Sequence, residues 1–405
     1  MIKLLQFNTT LNYGSTGRIA ENIGVLANQS GFDTYIVHGP RFINQSKLKT
    51  ICSETSLEEK IHGIKSLLID SHGLGSVKAT YNLVSKIKEI NPDIFHLHNI
   101  HGYYINYPIL FSFLKEYNKP IVWTFHDCWN FTGHCAHFAA LNCNKWQFEC
   151  NKCPGIANYP KSFLDFSQRN YNLKKNSFTG LKNLTIIPVS NWLSNLIEKS
   201  FFKNYNKRLI YNGIDLDIFS PQKNSVLRNQ LNLKNKFVIL GVAAPWSKKK
   251  GFNDIIKLSK IIDSKSTIII IGVSKEQKRE LPNNIIGIER TDNINQLAEY
   301  YSMADLFFNP TWEDNFPTTN LEALACGTPV ATYNTGGSPE AIDCNTGFVI
   351  EQGDISSVLP IIEKVKSANK EYYIEACRKR ATLLYNKNDR YKDYINLYNE
   401  LLNKK

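Results

Sequence analysis

The chain has 405 residues, 42% of them hydrophobic and 12% aromatic, with a formal net charge of +12. That length exceeds one ordinary hydrophobic core and that composition excludes a disordered or fibrous chain, so two globular domains are expected. The positive excess runs through both halves and narrows the partners to anionic ones: nucleic acid, an acidic lipid surface or a phosphorylated metabolite.

The first residues, "MIKLLQFNTT", lack the long apolar core and cleavage site of a signal peptide and read as a β-strand. No run reaches the roughly 18 apolar residues of a membrane-spanning helix. Nine cysteines, an odd number, with Cys326 and others inside apolar runs, point to a reducing cytoplasm rather than a disulfide scaffold. A cytoplasmic protein, with peripheral contact to the inner face of the cytoplasmic membrane, is expected.

After the first strand, "NTTLNYGSTGRIAENI" sets Gly14 and Gly17 around Ser15 and Thr16, before a helix expected from near Arg18. Glycines admit close backbone approach and a helix start favours an anion. Neither a Walker loop nor a complete dinucleotide fingerprint is present, so a plain strand-to-helix turn stays open. Strands follow in "DTYIVHG", "DIFHLHN", "PIVWTFHD" and "LTIIPVS". His96, His98 and His101 gather at one strand end. Alternation puts His96 and His98 on one face, and with no acidic partner nearby, cleft polarity or core packing is expected rather than a metal. The next strand ends in His126 and Asp127. A histidine there can donate to a sugar hydroxyl or relay a proton, or it is a satisfied loop residue. Cys135, Cys143, Cys150 and Cys153 fall within 19 residues and close on "CNKCP". Four thiolates at this spacing suit a structural zinc that pins a long loop; two disulfides or four unrelated thiols are the alternatives.

"KRLIYNGIDLDIFSPQKN", residues 207–224, reads as a linker from its Asn-Gly and Ser-Pro punctuation. The boundary is expected near 210, giving domains of 1–209 and 210–387. A final amphipathic helix, 388–405, completes the first. Second-half strands are expected in "FVILGVA", "STIIIIGV", "DLFFNPT" and "TPVATY", and runs such as "IIIIG" imply strands buried on both faces. The fold class is therefore α/β: two Rossmann-like, doubly wound domains facing across a cleft, with ligands at the carboxyl ends of the strands.

"GVAAPWSKKKGFNDII" places Lys248, Lys249, Lys250 and Gly251 after the first of these strands. Lysines there neutralise phosphate, or form a solvated basic loop. In "NPTWEDNFPTTNLEALACGTPVATYNTGGSPE", residues 309–340, Pro317 is expected at the first helical position and Gly327 at the stop. The N–H groups of Thr318, Thr319 and Asn320 are then free for a phosphate. Glu322, one turn in among apolar neighbours, needs a donor such as a ribose diol. Asp314 faces the sugar, and Phe316 and the "TGGSPE" loop shape sugar choice.

The ordered set "TFHDCWNFTGHC", "CNKW", "CNKCP", "VSNWL", "IYNGID" and "EDNFPTTNLEALACGTPV" closely resembles the retaining family-four glycosyltransferases of GT-B fold. Within them it is nearest to the colanic acid, capsule and O-antigen branch. The likeness spans nearly the whole chain. It implies an enzyme that moves a sugar from a nucleotide-diphosphate sugar to a hydroxyl of a growing, lipid-linked surface polysaccharide. The resemblance gives His126, Asp314 and Lys250 the catalytic positions. It gives Glu322 (ribose), Lys249, Phe316, Pro317, Thr318, Thr319, Gly14 and Gly17 to the donor. Two departures stand out: Asp314 replaces the usual first glutamate, and Pro245 lies near the place of an arginine, for which Lys248 or Lys249 substitutes. The resemblance further implies that no cofactor is required for catalysis. A UDP-sugar is preferred to a GDP-sugar as donor, the acceptor is a glycan or lipid-linked glycan, an anionic membrane is in contact, and nucleic acid is not a partner. A nucleotide-sugar epimerase of the same architecture and a basic nucleic-acid-binding protein are the rival readings. The lysine-glycine loop weighs against the first, and the even spread of charge against the second.

Overall fold

The computed structural model describes residues 1–222, 226–368 and 370–403. Lys223 and Asn224 of the expected linker, and residues 404–405 of the expected last helix, lie outside the described residues. The chain divides into two compact units, Met1–Tyr211 with the chain from Asn388 onward, and Asn212–Lys387.

The first unit is built on β1 (Ile2–Phe7), β2 (Phe32–His38), β3 (Lys49–Cys52), β4 (Ile94–Leu97), β5 (Ile121–Phe125), β6 (Leu184–Pro188) and β7 (Asn206–Lys207). All pair in parallel, in the order β3-β2-β1-β4-β5-β6-β7. The second holds β8 (Phe237–Val242), β9 (Ser266–Ile271), β10 (Ile285–Ile288), β11 (Leu306–Asn309), β12 (Val330–Tyr333) and β13 (Gly347–Ile350). Their order is β10-β9-β8-β11-β12-β13, again all parallel. Parallel strands need crossovers, and the helices that make them cover both faces of each sheet, so the central strands are apolar without alternation. Every residue of β4, β5, β6, β9, β11 and β12 is buried.

In each sheet the strand order reverses once, between β1 and β4 and between β8 and β11. Neighbouring loops at such a reversal leave in opposite directions and open a crevice at the carboxyl ends, where ligands of this architecture bind.

The helix Lys387–Asn403 belongs, apart from its first residue, to the first unit. Its apolar face packs Tyr391, Tyr394, Ile395, Leu397 and Tyr398 against Leu4, Ile94, Val122 and Ile187. Burying such side chains contributes about 1.5–3 kcal/mol each. The phenols find partners inside: the Tyr398 hydroxyl lies 2.6 Å from His96 Nδ1, and the Tyr394 hydroxyl 3.1 Å from Thr124 Oγ1. Among the described residues, no helix is long and apolar enough to cross a membrane.

Candidate functional site

Both loops at the reversal point of the second sheet carry charge. After β8, Ser247 Oγ accepts the Lys250 N–H at 3.3 Å and starts a single tight turn, Lys248–Lys250. Gly251 ends it at φ +78°, and a Cβ there would lie 2.2 Å from the Pro310 carbonyl oxygen, so only glycine lets the two loops close. The Trp312 N–H then donates to the Lys249 carbonyl at 2.8 Å. The lysines consequently meet the acidic pair that follows β11: Lys250 Nζ lies 2.7 Å from Asp314 Oδ2, and Lys249 Nζ 2.6 Å from Glu313 Oε2. The glycine turn after β12 closes from the other side, since a Cβ on Gly336 would sit 1.7 Å from the Asp314 carbonyl oxygen. Buried Asn320 joins β11, its own helix and that turn, accepting from Asn309 Nδ2 at 2.8 Å and donating to the Ser338 carbonyl at 3.3 Å.

The two ion pairs differ in kind. Lys250 and Asp314 keep 39% and 23% of their side-chain surface exposed. Such a pair is worth at most about 1 kcal/mol, so a diphosphate with more charge can take the ammonium at little cost. Glu313 is buried, and its Oε1 has no hydrogen-bond partner; Lys249 is what compensates its charge. Sequence reasoning missed Glu313, although its only signal, an acidic doublet inside an apolar stretch, stood in plain view.

Several expectations change here. Pro317 is the residue preceding the helix, with ψ 120°, and Thr318 is the first helical residue of Thr318–Ala325. The Asn320 N–H is not free, because it donates to the Pro317 carbonyl at 3.2 Å; partly exposed Thr318 and Thr319 lead the helix. Glu322 is half-buried rather than buried, and the Tyr301 hydroxyl already donates to its Oε2 at 2.7 Å. Asp314, expected to face the sugar, pairs with Lys250. Phe316 is buried, its ring edge-on to Tyr385. Gly327 does follow the helix, at φ +80°.

In the first unit the reversal point lies between the loops after β1 and β4, joined where the Asn99 N–H donates to Asn8 Oδ1 at 3.3 Å. The helix expected from Arg18 begins at Gly14, whose φ of +67° turns the chain directly into it. Gly17 packs closely, since a Cβ would lie 2.6 Å from Thr10 Oγ1. His98 and His126 stack, with His98 Nδ1 3.1 Å from His126 Nε2. The Gln6 amide donates to the Ala20 carbonyl, so its oxygen faces His98 Nε2 at 3.2 Å and must accept from it. His98 Nδ1 is then the acceptor and His126 Nε2 the donor, which leaves His126 Nδ1 as an acceptor nitrogen. Burial pushes the His126 imidazole down to about 4, so it is neutral near pH 7. In this tautomer the His126 ring presents an acceptor, not a donor, at Nδ1. His101 also corrects an expectation, for it does have an acidic partner: its Nε2 lies 2.8 Å from Asp127 Oδ2. Burial raises the Asp127 carboxyl, but the adjacent His101 outweighs it and holds the group at about 2.

Cys135, Cys143, Cys150 and Cys153 line one small cavity together with His134. Cys135 and Cys153 sulfurs are 3.4 Å apart, and Cys150 Sγ accepts the Gly133 N–H. Burial pushes the Cys150 thiol up to about 12, whereas the hydrogen bond from Cys135 brings Cys153 down to about 7. His134 is buried, its Nδ1 2.7 Å from Asp70 Oδ1 and its Nε2 without a partner. Among the described residues, no three or more such groups are already arranged around a metal position. Cys128 is buried.

The family model for glycosyl transferases group 1 matches residues 224–382, and that for glycosyltransferase family 4 matches residues 50–218. The Escherichia coli (strain K12) protein assigned as colanic acid biosynthesis glycosyl transferase WcaC is 22% identical over 99% of this chain and all of its own length. The Staphylococcus aureus capsular polysaccharide biosynthesis glycosyltransferase CapM is 26% identical over 44% of this chain and 51% of its own. Among solved structures, Anabaena HepE in complex with UDP aligns with a TM-score of 0.70 at 15% identity, over 99% of this chain and all of that one.

Proposed function

The chain belongs to the family-four, group 1 glycosyltransferases, and from that premise we propose that it moves a sugar, with retention of configuration, from a UDP-sugar to a hydroxyl of a lipid-linked surface polysaccharide at the inner membrane face. One observation carries the reading: Lys250 and Asp314 meet at 2.7 Å from the two loops of the second sheet's reversal point. Lys250 there takes the diphosphate, Asp314 the sugar hydroxyls and Glu322 the ribose, while Lys249 holds Glu313 in place beside them. As the sugar–phosphate bond breaks, negative charge grows on the departing phosphate, and Lys250 stabilises it in place. That phosphate accepts the proton of the attacking hydroxyl. In the first unit, taken by itself, His126 is assigned to a sugar hydroxyl and the Gly14–Gly17 turn to close backbone approach by a ligand. Relatives assigned to colanic acid and capsular polysaccharide support the acceptor class, and the UDP held by HepE supports the base.

Calorimetry with UDP-, GDP- and ADP-sugars tests this. UDP-sugar is expected to bind best, and Glu322→Ala to weaken it about tenfold to a hundredfold, the worth of one or two charge-assisted hydrogen bonds. If no nucleotide sugar binds, or Glu322→Ala binds as tightly as wild type, the donor assignment fails.

The shared cavity supports a structural zinc held by Cys135, Cys143, Cys150 and Cys153. Elemental analysis of protein purified without chelator is expected to find about one zinc per chain, lost in Cys150→Ser. A metal-free chain with Cys135 and Cys153 disulfide-linked by mass sink it.

A further inference from the structure

The helix Ser56–Ile69 is turned inside out. Its sequence repeats apolar residues at Leu57, Ile61, Ile64 and Leu68, a spacing that ordinarily marks the face packed on a core. Here that stripe is the exposed one: Leu57 shows 66% of its surface and Ile64 58%, with Ile61 and Leu68 close behind. Glu59, His62 and Ser66 face inward instead.

Specific bonds hold the polar side down. Glu59 pairs with Arg41. His62 Nε2 accepts the Gly73 and Gly75 N–H groups at 3.1 and 3.0 Å, and its Nδ1 lies 2.8 Å from Ser76 Oγ. Asp70, next after the helix, accepts from His134 and from the Phe166 N–H. The helix cannot roll its apolar stripe inward without orphaning these buried groups, at about 1–3 kcal/mol each.

A second segment extends the surface. The Phe163 N–H donates to the Leu67 carbonyl at 2.8 Å, and Arg169 Nη2 donates to the Ile69 and Asp70 carbonyls. This fixes residues 163–169 against the end of the helix, where Phe163 (65% exposed) and Phe166 are left outside. Cations run through the patch: Lys60, Lys65, Lys161 and Arg169 are all exposed. Lys161 lies over the Phe163 ring and the Arg169 guanidinium 4.5 Å over that of Phe166. Asp165 and Glu58 oppose them, the latter occupied in a capping box with Thr55.

Aliphatic and aromatic side chains flanked by lysine and arginine match the acyl–headgroup boundary of an anionic bilayer, where the apolar part dips in and the cations meet lipid phosphates. We propose that the outward face of helix Ser56–Ile69, with the Phe163–Arg169 segment, is the membrane-docking surface of this chain. The proposal rests on the reading above that the acceptor is lipid-linked.

Flotation of the full chain with vesicles of phosphatidylglycerol and phosphatidylethanolamine, against phosphatidylcholine alone, tests it. Wild type is expected to float with the anionic vesicles and to release in high salt. Ile61→Glu/Ile64→Glu and Lys60→Glu/Lys65→Glu are each expected to cut partitioning at least about tenfold, since one lysine near such a surface is worth roughly fivefold. UDP-sugar affinity, read on the same preparations by calorimetry, stays at the wild-type value and reports that the variants are folded. The proposal is overturned if wild type ignores anionic vesicles, or if both variants float equally well. It is also overturned if wild type is a dimer in sedimentation that Ile61→Glu/Ile64→Glu converts to monomer, because a second copy then covers the face. Vesicle binding without donor binding removes the functional reading and keeps the surface; donor binding without vesicle binding does the reverse.

Discussion

Lys250→Ala is expected to lower kcat by about two to three orders of magnitude, the loss typical of removing one preorganised charge from a developing anion. KM should move less, because the lysine's partner carries more negative charge in the transition state than in the bound donor. Fold stability should barely change. Lys250 and Asp314 are both partly exposed, so the broken pair costs at most about 1 kcal/mol and Asp314 turns to water. Lys249→Ala makes the contrast. It leaves Glu313 buried with neither oxygen compensated, so the expected loss is about 1–3 kcal/mol of stability, with a smaller effect on kcat. Steady-state kinetics beside urea unfolding of both variants separates the two roles. If Lys250→Ala keeps wild-type kcat, or if the two variants lose activity equally, Lys250 does not stabilise the leaving group.

Acidification from about pH 6.5 to pH 4 is expected to unfold the first unit before most carboxylates protonate. Six of the nine histidines are held below the ordinary value of 6.5, each chiefly by burial: His38, His62, His72, His96, His98 and His126. In the unfolded chain these groups bind protons near pH 6.5; in the native unit they refuse them. The unfolded state therefore holds more protons throughout the window, and stability falls as pH falls through it. Above pH 6.5 both states are neutral and the contribution vanishes. For His62, buried and moved down to about 4, the cost at pH 4 is on the order of 3 kcal/mol. Glu54 opposes this. Burial raises its carboxyl to about 7, so the native state keeps a proton that the unfolded chain releases above 4.5, and acid favours folding there. Glu59, also raised by burial, acts in the same direction, but two such groups do not offset six histidines. Asp127, held at about 2, stays charged across the window. Urea midpoints between pH 7 and pH 4.5 should fall steeply, and a flat profile would mean that the histidines are not buried neutral.

The central strands were legible because a strand covered by helices on both faces must be apolar at every position, and "STIIIIGV" or "PIVWTFHD" admits little else. Nine strands were read in this way. The four that were not, β3, β7, β10 and β13, are the outermost strands of the two sheets. Edge strands are short and half-exposed, as β3 is along its length, so their residues carry no such signature. The turns at the strand ends were legible for a related reason. Lysines before a glycine and carboxylates before a helix each announce a local backbone geometry.

Which of those groups meet was decided by tertiary structure alone. Lys250 and Asp314 are 64 residues apart in the chain and touch because β8 and β11 are neighbours at the reversal of strand order. The same long-range order gave Lys249 to Glu313, Tyr301 to Glu322 and His101 to Asp127, pairs that no local spacing encodes. Direction was equally invisible. The period of Leu57, Ile61, Ile64 and Leu68 states that these residues share one face of a helix, but not whether that face looks inward. Partners for the buried Glu59, His62 and Asp70, contributed by Arg41, Gly73, Gly75 and His134 from elsewhere in the chain, turned it out. Periodicity is a property of a segment, and burial is a property of what the rest of the chain places against it.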